Sequence, residues 1–259
     1  MTGKAYLVGA GPGRADLITL RGLTVLRQAE VVLYDRLIAP ELLDEAPAHA
    51  ERIFVGKRPG HHAVRQERIN ELMVRLVQEG LQVVRLKGGD PCVFGHAGEE
   101  AAALAAAGVP FEIVPGVSSA IGVPAYAGVP LTQRGIASAF AVVTAHEASE
   151  TASGIDWRAL AAMPTLVVLM ALTRLDNVCT KLIAAGRDPF TPAILISRGT
   201  TTQQRTLRAT LATLPDAQKC AMLPPPAILV VGDVAALNDT LAWFDPESVP
   251  AHHMFWEDE

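Results

Sequence analysis

The amino-acid sequence predicts an α/β fold. Apolar runs of four to six residues alternate with longer segments of helical periodicity along most of the 259-residue chain. This alternation is typical of parallel strands joined by crossover helices. Turn residues bound the apolar runs, as expected for strands. The predicted strands are residues 5–8, 31–34, 53–55, 83–86, 111–114, 140–143, 166–170, 194–197 and 228–231.

Two helices are predicted with well-defined ends. In residues 65–79 the apolar side chains recur at intervals of three and four, and Gly80 follows as a helix stop. The second helix, residues 99–107, is mostly alanine. It begins with the acidic Glu99 and Glu100 and is followed by Gly108, and acids at the N-terminus complement the helix dipole.

A turn-rich segment predicts a division into two domains. Residues 128–135 contain Pro130, Thr132, Gln133 and Arg134, and the strand and helix alternation restarts at Phe140. We therefore predict an N-terminal domain over residues 1–134, a C-terminal domain over residues 135–244 and a tail over residues 245–259.

Composition disfavours several classes of protein. The formal net charge is -5 and aromatic residues make up 5% of the chain, so the basic field and stacking residues of a nucleic-acid binder are lacking. No apolar run approaches the length of a membrane span, and the N-terminus resembles no signal peptide. We expect a cytoplasmic protein that binds neither nucleic acid nor membrane.

Cysteine and histidine spacing predicts no metal site. Cys92, Cys179 and Cys220 are odd in number and far apart, which fits neither a disulfide framework nor a metal centre. We expect these three to be buried thiols.

The glycine-rich segment after the first strand, residues 8–13 (VGAGPG), allows a ligand to approach the backbone closely. With Asp35 at the end of the second strand, it suggests a dinucleotide site. Against this, Arg14 stands where a third glycine belongs, and Pro12 lacks an N–H that could bind phosphate. A simple tight turn is the other alternative.

Two further small-residue segments follow predicted strands, at the edge where open α/β sheets bind ligands. Residues 85–91 (RLKGGDP) place the acidic Asp90 beside two glycines, which favours a ligand with hydroxyl or ammonium groups over a phosphate. Residues 115–120 (PGVSSA) offer two hydroxyls at a helix start, although an N-cap would explain one serine.

A local basic segment suggests an anionic substrate. Lys57, Arg58, Arg65 and Arg68 against Glu67 give a local charge of +3 in an acidic protein. A solvated helix flank is the alternative for Arg65 and Arg68, whereas Gly56 and Pro59 place Lys57 and Arg58 in a loop.

These segments in combination resemble the uroporphyrinogen-III C-methyltransferases of the tetrapyrrole methylase family. The resemblance runs from about Tyr6 to Phe244. It rests on VGAGPG (residues 8–13), YDRL (34–37), GKR (56–58), VRLKGGDP (84–91), PGVSSA (115–120) and AYAGVPLT (125–132). The YDRL and GKR segments point to this member of the family.

The resemblance implies two α/β domains with the active-site cleft between them and a homodimer. It implies that S-adenosyl-L-methionine donates two methyl groups in turn to uroporphyrinogen III, which gives precorrin-2 and S-adenosyl-L-homocysteine. No metal is needed, because a pyrrole carbon is already a nucleophile that the protein has only to align with the methyl donor.

The resemblance also assigns residues to roles. Asp35 and Lys57 match the family's proposed proton acceptor and donor, and His96, Glu99 and Arg134 match its substrate contacts. The cofactor contacts fall on Pro12, Gly88, Gly89, Asp90, Val93, Ser118, Ser119, Met170 and Gly199. Asp35 could instead be structural, for example by pairing with Arg36.

Three positions depart from the family pattern. His96 replaces an arginine, which exchanges a permanent two-point donor for a titratable one. Ala145 and Ala171 stand where glycine is usual and add methyl groups where backbone could approach a ligand. The family is sometimes fused to a dehydrogenase and chelatase module, and here we expect oxidation and metal insertion on another protein.

Two other activities stay open. One is methylation of a later corrin precursor, and the other is a nicotinamide-dependent oxidoreductase, suggested by Gly9, Gly11 and Asp35.

Overall fold

The computed structural model describes residues 3–56, 65–145 and 154–248. These form an α/β structure of two compact units that divide between Ser119 and Ala120. Each unit contains one five-stranded sheet, and the predicted α/β fold is confirmed.

The first unit is built on a fully parallel sheet with the strand order β3-β2-β4-β1-β5. Its strands are β1 (Lys4–Gly9), β2 (Val31–Tyr34), β3 (Glu51–Phe54), β4 (Gln82–Lys87) and β5 (Phe111–Val114). Because all five run in the same direction, their carboxyl ends meet at one edge.

Helices cover both faces of this sheet. They are α1 (Leu20–Leu26), α2 (Glu41–Asp44), α3 (Gln66–Gln78) and α4 (Ala97–Ala106), with a 3-10 helix at Ala15–Leu17. Helices α1 and α2 pack with Val8, Val32 and Leu86 on one face, and α3 and α4 pack with Leu7 and Leu33 on the other. This arrangement explains why the strands are apolar on both sides.

The two predicted helices of this unit are confirmed. Helix α3 buries Ile69, Met73, Leu76 and Val77, and Gly80 follows with φ +93°. Helix α4 is followed by Gly108 with φ +67°, the left-handed conformation that glycine adopts at helix ends.

The second unit contains α5 (Ser119–Tyr126), β6 (Phe140–Thr144), α6 (Trp157–Ala161), β7 (Thr165–Leu169), α7 (Leu175–Ala184), β8 (Pro192–Ser197), β9 (Arg205–Thr210), α8 (Leu214–Ala221), β10 (Ala227–Val231) and α9 (Asn238–Leu241). Short 3-10 helices lie at Leu172–Arg174, Asp233–Leu237 and Pro246–Ser248. The strand order is β6-β7-β10-β8-β9.

The prediction of parallel strands is wrong for most of this second sheet. Strands β6 and β7 are parallel, but β7–β10, β10–β8 and β8–β9 are antiparallel pairs. The reason is β9, which the sequence pattern did not predict because its residues RTLRAT are mostly polar. It pairs with β8 as a hairpin, and this reverses the chain direction before α8 leads into β10.

The division between the units lies before the predicted boundary at Arg134. Ala120 and Val123 of helix α5, with Ala127 directly after the helix, pack in a core shared with Ile196 and Val230 of the second sheet. Burial of these side chains places α5 in the second unit, whereas the boundary at Arg134 was inferred from turn residues. Of the predicted tail, residues 245–259, the structure describes residues 245–248.

The prediction of buried thiols is correct for one cysteine and wrong for two. Cys179 is buried on α7, whereas Cys92 and Cys220 are exposed. Burial raises the pKa of the Cys179 thiol to about 12. In the described residues, no three His, Cys, Asp or Glu side chains are grouped as metal ligands, and none of the helices is long and apolar enough to cross a membrane.

Candidate active site

The loops that follow β1 and β4 mark the ligand-binding edge of the first sheet. These neighbouring parallel strands lead to helices on opposite faces, α1 after β1 and α4 after β4. In open α/β sheets, ligands bind where adjacent strands lead to opposite faces.

Backbone hydrogen bonds join these two loops directly. The Gly11 N–H donates to the Gly89 carbonyl at 3.2 Å, and the Gly89 N–H donates to the Gly11 carbonyl at 2.7 Å. Gly11 has φ +86° and Gly89 φ +71°, a region that glycine enters without strain. The half-buried Pro12 follows directly.

A third loop, after β5, packs against the first two through glycine backbone. A Cβ atom on Gly116 would lie 2.4 Å from the Gly89 carbonyl oxygen, and one on Gly9 would lie 2.5 Å from the Gly116 Cα atom. Such contacts are impossible for a side chain. Because Gly9 and Gly116 have no side chains, the loops can pack on one another. The sequence had predicted only ligand approach or a tight turn for the glycines of residues 8–13.

Asp90 connects the loop after β4 to the loop after β5. Its Oδ2 accepts a hydrogen bond from the Gly116 N–H at 3.0 Å, and its Oδ1 accepts one from the Cys92 N–H at 2.8 Å. The carboxylate is half-buried. Hydrogen bonds of this charge-assisted kind are stronger than neutral ones, so Asp90 fixes the shape of both loops.

The predicted cofactor residues of the first unit lie along these loops. A Cβ atom on Gly89 would lie 3.6 Å from the Ser119 N and 3.9 Å from the Ser118 Cα, so these two serines pack directly beside the buried Gly89. Ser118 is buried, Ser119 is half-buried at the start of α5, and Val93 is 38% exposed. Gly88 packs against Leu37 of the loop after β2.

The predicted substrate contacts His96 and Glu99 lie together at the start of α4. Their side chains are exposed, and the His96 Nδ1 atom lies 3.0 Å from the Glu99 Oε1 atom. Phe94 and His96 have φ +55° and +58°. Left-handed conformations in residues other than glycine are sparsely populated, and they cluster at functional sites.

Asp35, the predicted proton acceptor, follows β2 at the same edge. Its Oδ1 accepts a hydrogen bond from the Leu37 N–H at 2.9 Å, and its Oδ2 lies 3.5 Å from the Arg85 Nη2 atom. The side chain is 25% exposed. Lys57, Arg58 and the histidines between them and Arg65 lie outside the described residues; Arg65 and Arg68 are exposed at the start of α3.

The sequence did not predict a buried ionic network that contacts Asp35 through Arg85. Arg85 and Lys87 on β4 are 5% and 4% exposed, and Glu100 on α4 is 0% exposed. The Glu100 Oε1 atom lies 3.2 Å from the Arg85 Nε atom and 2.8 Å from the Lys87 Nζ atom. Burial, with repulsion from Arg85, lowers the pKa of Lys87. Two cations, Arg85 and Lys87, beside the apolar Val83, Val84 and Leu86 of β4 were the pattern that could have revealed it.

Three predicted site residues belong to the second unit. Met170 follows β7 with φ +54° and is 48% exposed. Gly199 follows β8, where a Cβ atom would lie 2.3 Å from the Val123 side chain. Strands β7 and β8 both run antiparallel to β10, so Met170 and Gly199 lie at one edge of the second sheet. Arg134 is exposed in the turn closed by Gln133 and Ala137.

The alanines that replace family glycines face the protein core. Ala145 and Ala171 are 3% and 0% exposed and pack in the core of the second unit. Ala171 has φ -74°, which any residue adopts. Their methyl groups therefore fill the core instead of narrowing a ligand site, contrary to the expectation from the sequence.

Comparison with known proteins places these features in a family. The family model described as Tetrapyrrole (Corrin/Porphyrin) Methylases matches residues 4–215. A siroheme synthase of Pseudomonas paraeruginosa is 50% identical over 245 residues, which are 94% of this chain and 52% of that protein. The chain thus spans about half the length of this relative.

Solved structures agree with the family model. The uroporphyrin-III C-methyltransferase of Thermus thermophilus, complexed with S-adenosyl homocysteine, is 40% identical with a TM-score of 0.78, over 90% of this chain and 99% of that one. A cobalt precorrin-4 methyltransferase is 30% identical with a TM-score of 0.80, over 90% and 95% of the two chains. The chain belongs to the tetrapyrrole methylases.

Proposed function

We propose that the protein is an S-adenosyl-L-methionine-dependent C-methyltransferase that converts uroporphyrinogen III to precorrin-2 by two successive methyl transfers. The observation that carries the proposal is the set of three glycine-containing loops joined by Asp90 at the ligand-binding edge of the first sheet. The similarity to the Thermus thermophilus enzyme supports it.

The residues at this edge fit the proposed cofactor. The cofactor would be recognised by backbone and hydroxyl groups. Gly89 has no side chain to block its backbone, Ser118 and Ser119 bear hydroxyls, and Val93 is an exposed apolar side chain; together they suit a nucleoside with a short charged chain. A dinucleotide fits less well, because Pro12 lacks an N–H and Arg14 pairs with Asp16. The cofactor supplies an electrophilic methyl group.

In this proposal the loops after β1, β4 and β5 hold the cofactor through Pro12, Gly88, Gly89, Asp90, Val93, Ser118 and Ser119. The family resemblance further assigns a cofactor role to Met170 and Gly199. S-adenosyl-L-homocysteine is the product that leaves. The residues need only align the reacting atoms and exclude water, since the substrate carbon is already electron-rich.

The substrate carries several carboxylates, which basic side chains bind well. His96 and Arg134 are exposed and would contact them, together with Lys57 and Arg58. Glu99 would orient His96, since the two side chains are within hydrogen-bond distance.

The alternative oxidoreductase function does not agree with membership of a methylase family.

Asp35 would accept the proton that the macrocycle loses after methylation, and Lys57 would act as the proton donor. The hydrogen bond from Leu37 and the partial exposure of Asp35 support a carboxylate that is held in place and still open to substrate.

The test is incubation with uroporphyrinogen III and isotopically labelled S-adenosyl-L-methionine, followed by mass measurement of the product. Two added methyl groups are expected, and one after short times. A substrate recovered without added methyl groups contradicts the proposal.

A second candidate is methylation of a later corrin precursor. It is favoured by the TM-score of 0.80 to the cobalt precorrin-4 methyltransferase. The higher identity of the Thermus thermophilus enzyme, 40% against 30%, favours uroporphyrinogen III. Supplying both substrates in competition separates the two activities.

We further propose that the protein is a cytoplasmic homodimer, as the resemblance to the family suggests. Light scattering coupled to gel filtration measures the mass of the assembly, and cell fractionation measures its location.

A further inference from the structure

Arg85, Lys87 and Glu100 form a buried ionic network in contact with Asp35. Arg85, Lys87 and Glu100 are all at least nine-tenths buried, and removing such charges from water costs more than well-packed apolar side chains would. The apolar cluster formed by α3, α4 and this face of the sheet includes Val83, Leu104 and Met73. Stability alone therefore does not explain these three charges.

The network holds the Arg85 guanidinium from several directions. Its Nε donates to the Glu100 Oε1 at 3.2 Å, and its Nη1 donates to the carbonyl of Leu86 at 3.0 Å and to that of Leu33 at 3.4 Å. The guanidinium is planar and rigid. With these contacts made, the Nη2 nitrogen has a fixed direction, and it lies 3.5 Å from the Asp35 Oδ2 atom.

Glu100 is in turn anchored by other groups. Its Oε1 also accepts hydrogen bonds from the Lys87 Nζ at 2.8 Å and from the Gln66 Nε2 at 3.2 Å. The set formed by Arg85, Lys87, Glu100 and Asp35 contains two basic and two acidic side chains, so their formal charges balance. Of these four side chains, Asp35 is the most exposed, at 25%.

We infer that Arg85, anchored by Glu100, is a positioning residue that aims the Asp35 carboxylate at the substrate. The inference rests on the proposed function. The proton lost by the methylated macrocycle passes to an oxygen of Asp35, breaking a bond to the macrocycle and forming an O–H bond, and then to solvent. Arg85 fixes the orientation of that oxygen and takes no proton itself.

Paired substitutions separate positioning from folding. Arg85→Met leaves Glu100 paired with Lys87 but removes the cation that faces Asp35. Lys87→Met removes a cation of the same network and leaves Arg85 between Glu100 and Asp35. Met keeps most of the volume of either side chain, so both variants remove one buried charge. Arg27→Met, which breaks an exposed pair with Glu45, is the control at the surface.

The expected result is a selective loss of turnover. A positioned general base contributes about 10²–10⁴-fold to rate, so Arg85→Met should lower kcat about tenfold or more. Lys87→Met should lower it less than about threefold, and Arg85→Lys should recover part of the loss. Affinity for S-adenosyl-L-homocysteine, measured by calorimetry, should stay within about twofold in all variants.

The outcomes separate the inference from the proposed function. Equal losses of kcat in Arg85→Met and Lys87→Met, or a loss of product affinity as large as the loss of kcat, overturn the positioning role. If the wild type methylates the later corrin precursor, the same comparison is made on that substrate. No methyl transfer by the wild type to either tetrapyrrole overturns the proposed function and this inference with it.

Discussion

The Asp90 carboxylate holds the Gly116 backbone at 3.0 Å, although the two residues lie in loops that follow different strands. Because β1 lies between β4 and β5 in the sheet, this hydrogen bond passes across the end of β1. Asp90 therefore organises the three loops of the candidate site, in addition to any hydrogen bond that it makes to a ligand.

Replacing Asp90 with Ala should weaken binding of S-adenosyl-L-homocysteine. The variant leaves the Cys92 and Gly116 N–H groups without their carboxylate partner. This loss destabilises the folded arrangement of the binding loops by about 1–3 kcal/mol, so part of the binding free energy would be spent on ordering them. Calorimetric titration measures the loss. The control is Asp188→Ala, which removes a similar hydrogen bond to the Phe190 N–H in the second unit. Equal affinity of Asp90→Ala and the wild type would contradict the role of Asp90.

Replacing Gly9 with Ala should destabilise the protein and weaken cofactor binding. The added carbon would lie 2.5 Å from the Gly116 Cα atom, and relief of this overlap by backbone shifts costs about 1–3 kcal/mol. The control is Gly98→Ala in α4, where a Cβ atom meets nothing within 4 Å. Alanine there should stabilise the helix by about 0.5–1 kcal/mol. Denaturant unfolding measures both changes, and similar stability of the two variants would be inconsistent with close loop packing.

Replacing His96 with Arg should raise affinity for the polycarboxylate substrate. Arginine carries a permanent charge and can bind a carboxylate through two parallel hydrogen bonds. KM for uroporphyrinogen III measures the effect. His49→Arg adds an arginine at another exposed position of the first unit and should leave KM unchanged. Equal KM values for His96→Arg and the wild type would argue against contact with the substrate.

Replacing Glu112 with Gln should reduce stability in a pH-dependent way. Hydrogen bonds from Arg21 and Lys4 lower the pKa of Glu112 to about 2 from an ordinary value of 4.5. The folded state thus favours the carboxylate, so its stabilising effect is complete above about pH 4.5 and is lost as the pH falls toward about 2. The difference in Tm between wild type and variant should shrink over that range.

The matched control for this pH dependence is Glu79→Gln. Glu79 lies 3.8 Å from Arg75 in an exposed pair, and such pairs contribute little. A Tm difference for Glu112→Gln that stays constant from neutral pH to about pH 2 would contradict the pairing with Arg21 and Lys4.

Local patterns in the sequence predicted the elements more reliably than their directions. The nine predicted strands and helix α3 are present, because apolar periodicity reports which face of an element is buried. The polar edge strand β9 carried no such pattern, and without it the antiparallel pairs of the second sheet could not be predicted.

By itself the sequence determined that apolar strands alternate with helices, and that glycines, Asp90 and Asp35 follow strand ends where a ligand can bind. Only the tertiary structure decided that Gly9 and Gly116 serve loop packing, that Asp90 joins two loops, and that Arg85 and Glu100 support Asp35. The physical reason is the distance along the chain over which each interaction acts. Periodicity and turn propensity act between near neighbours in the chain, whereas a hydrogen bond from residue 90 to residue 116, or a buried ion pair between a strand and a helix, exists only once packing brings the two together.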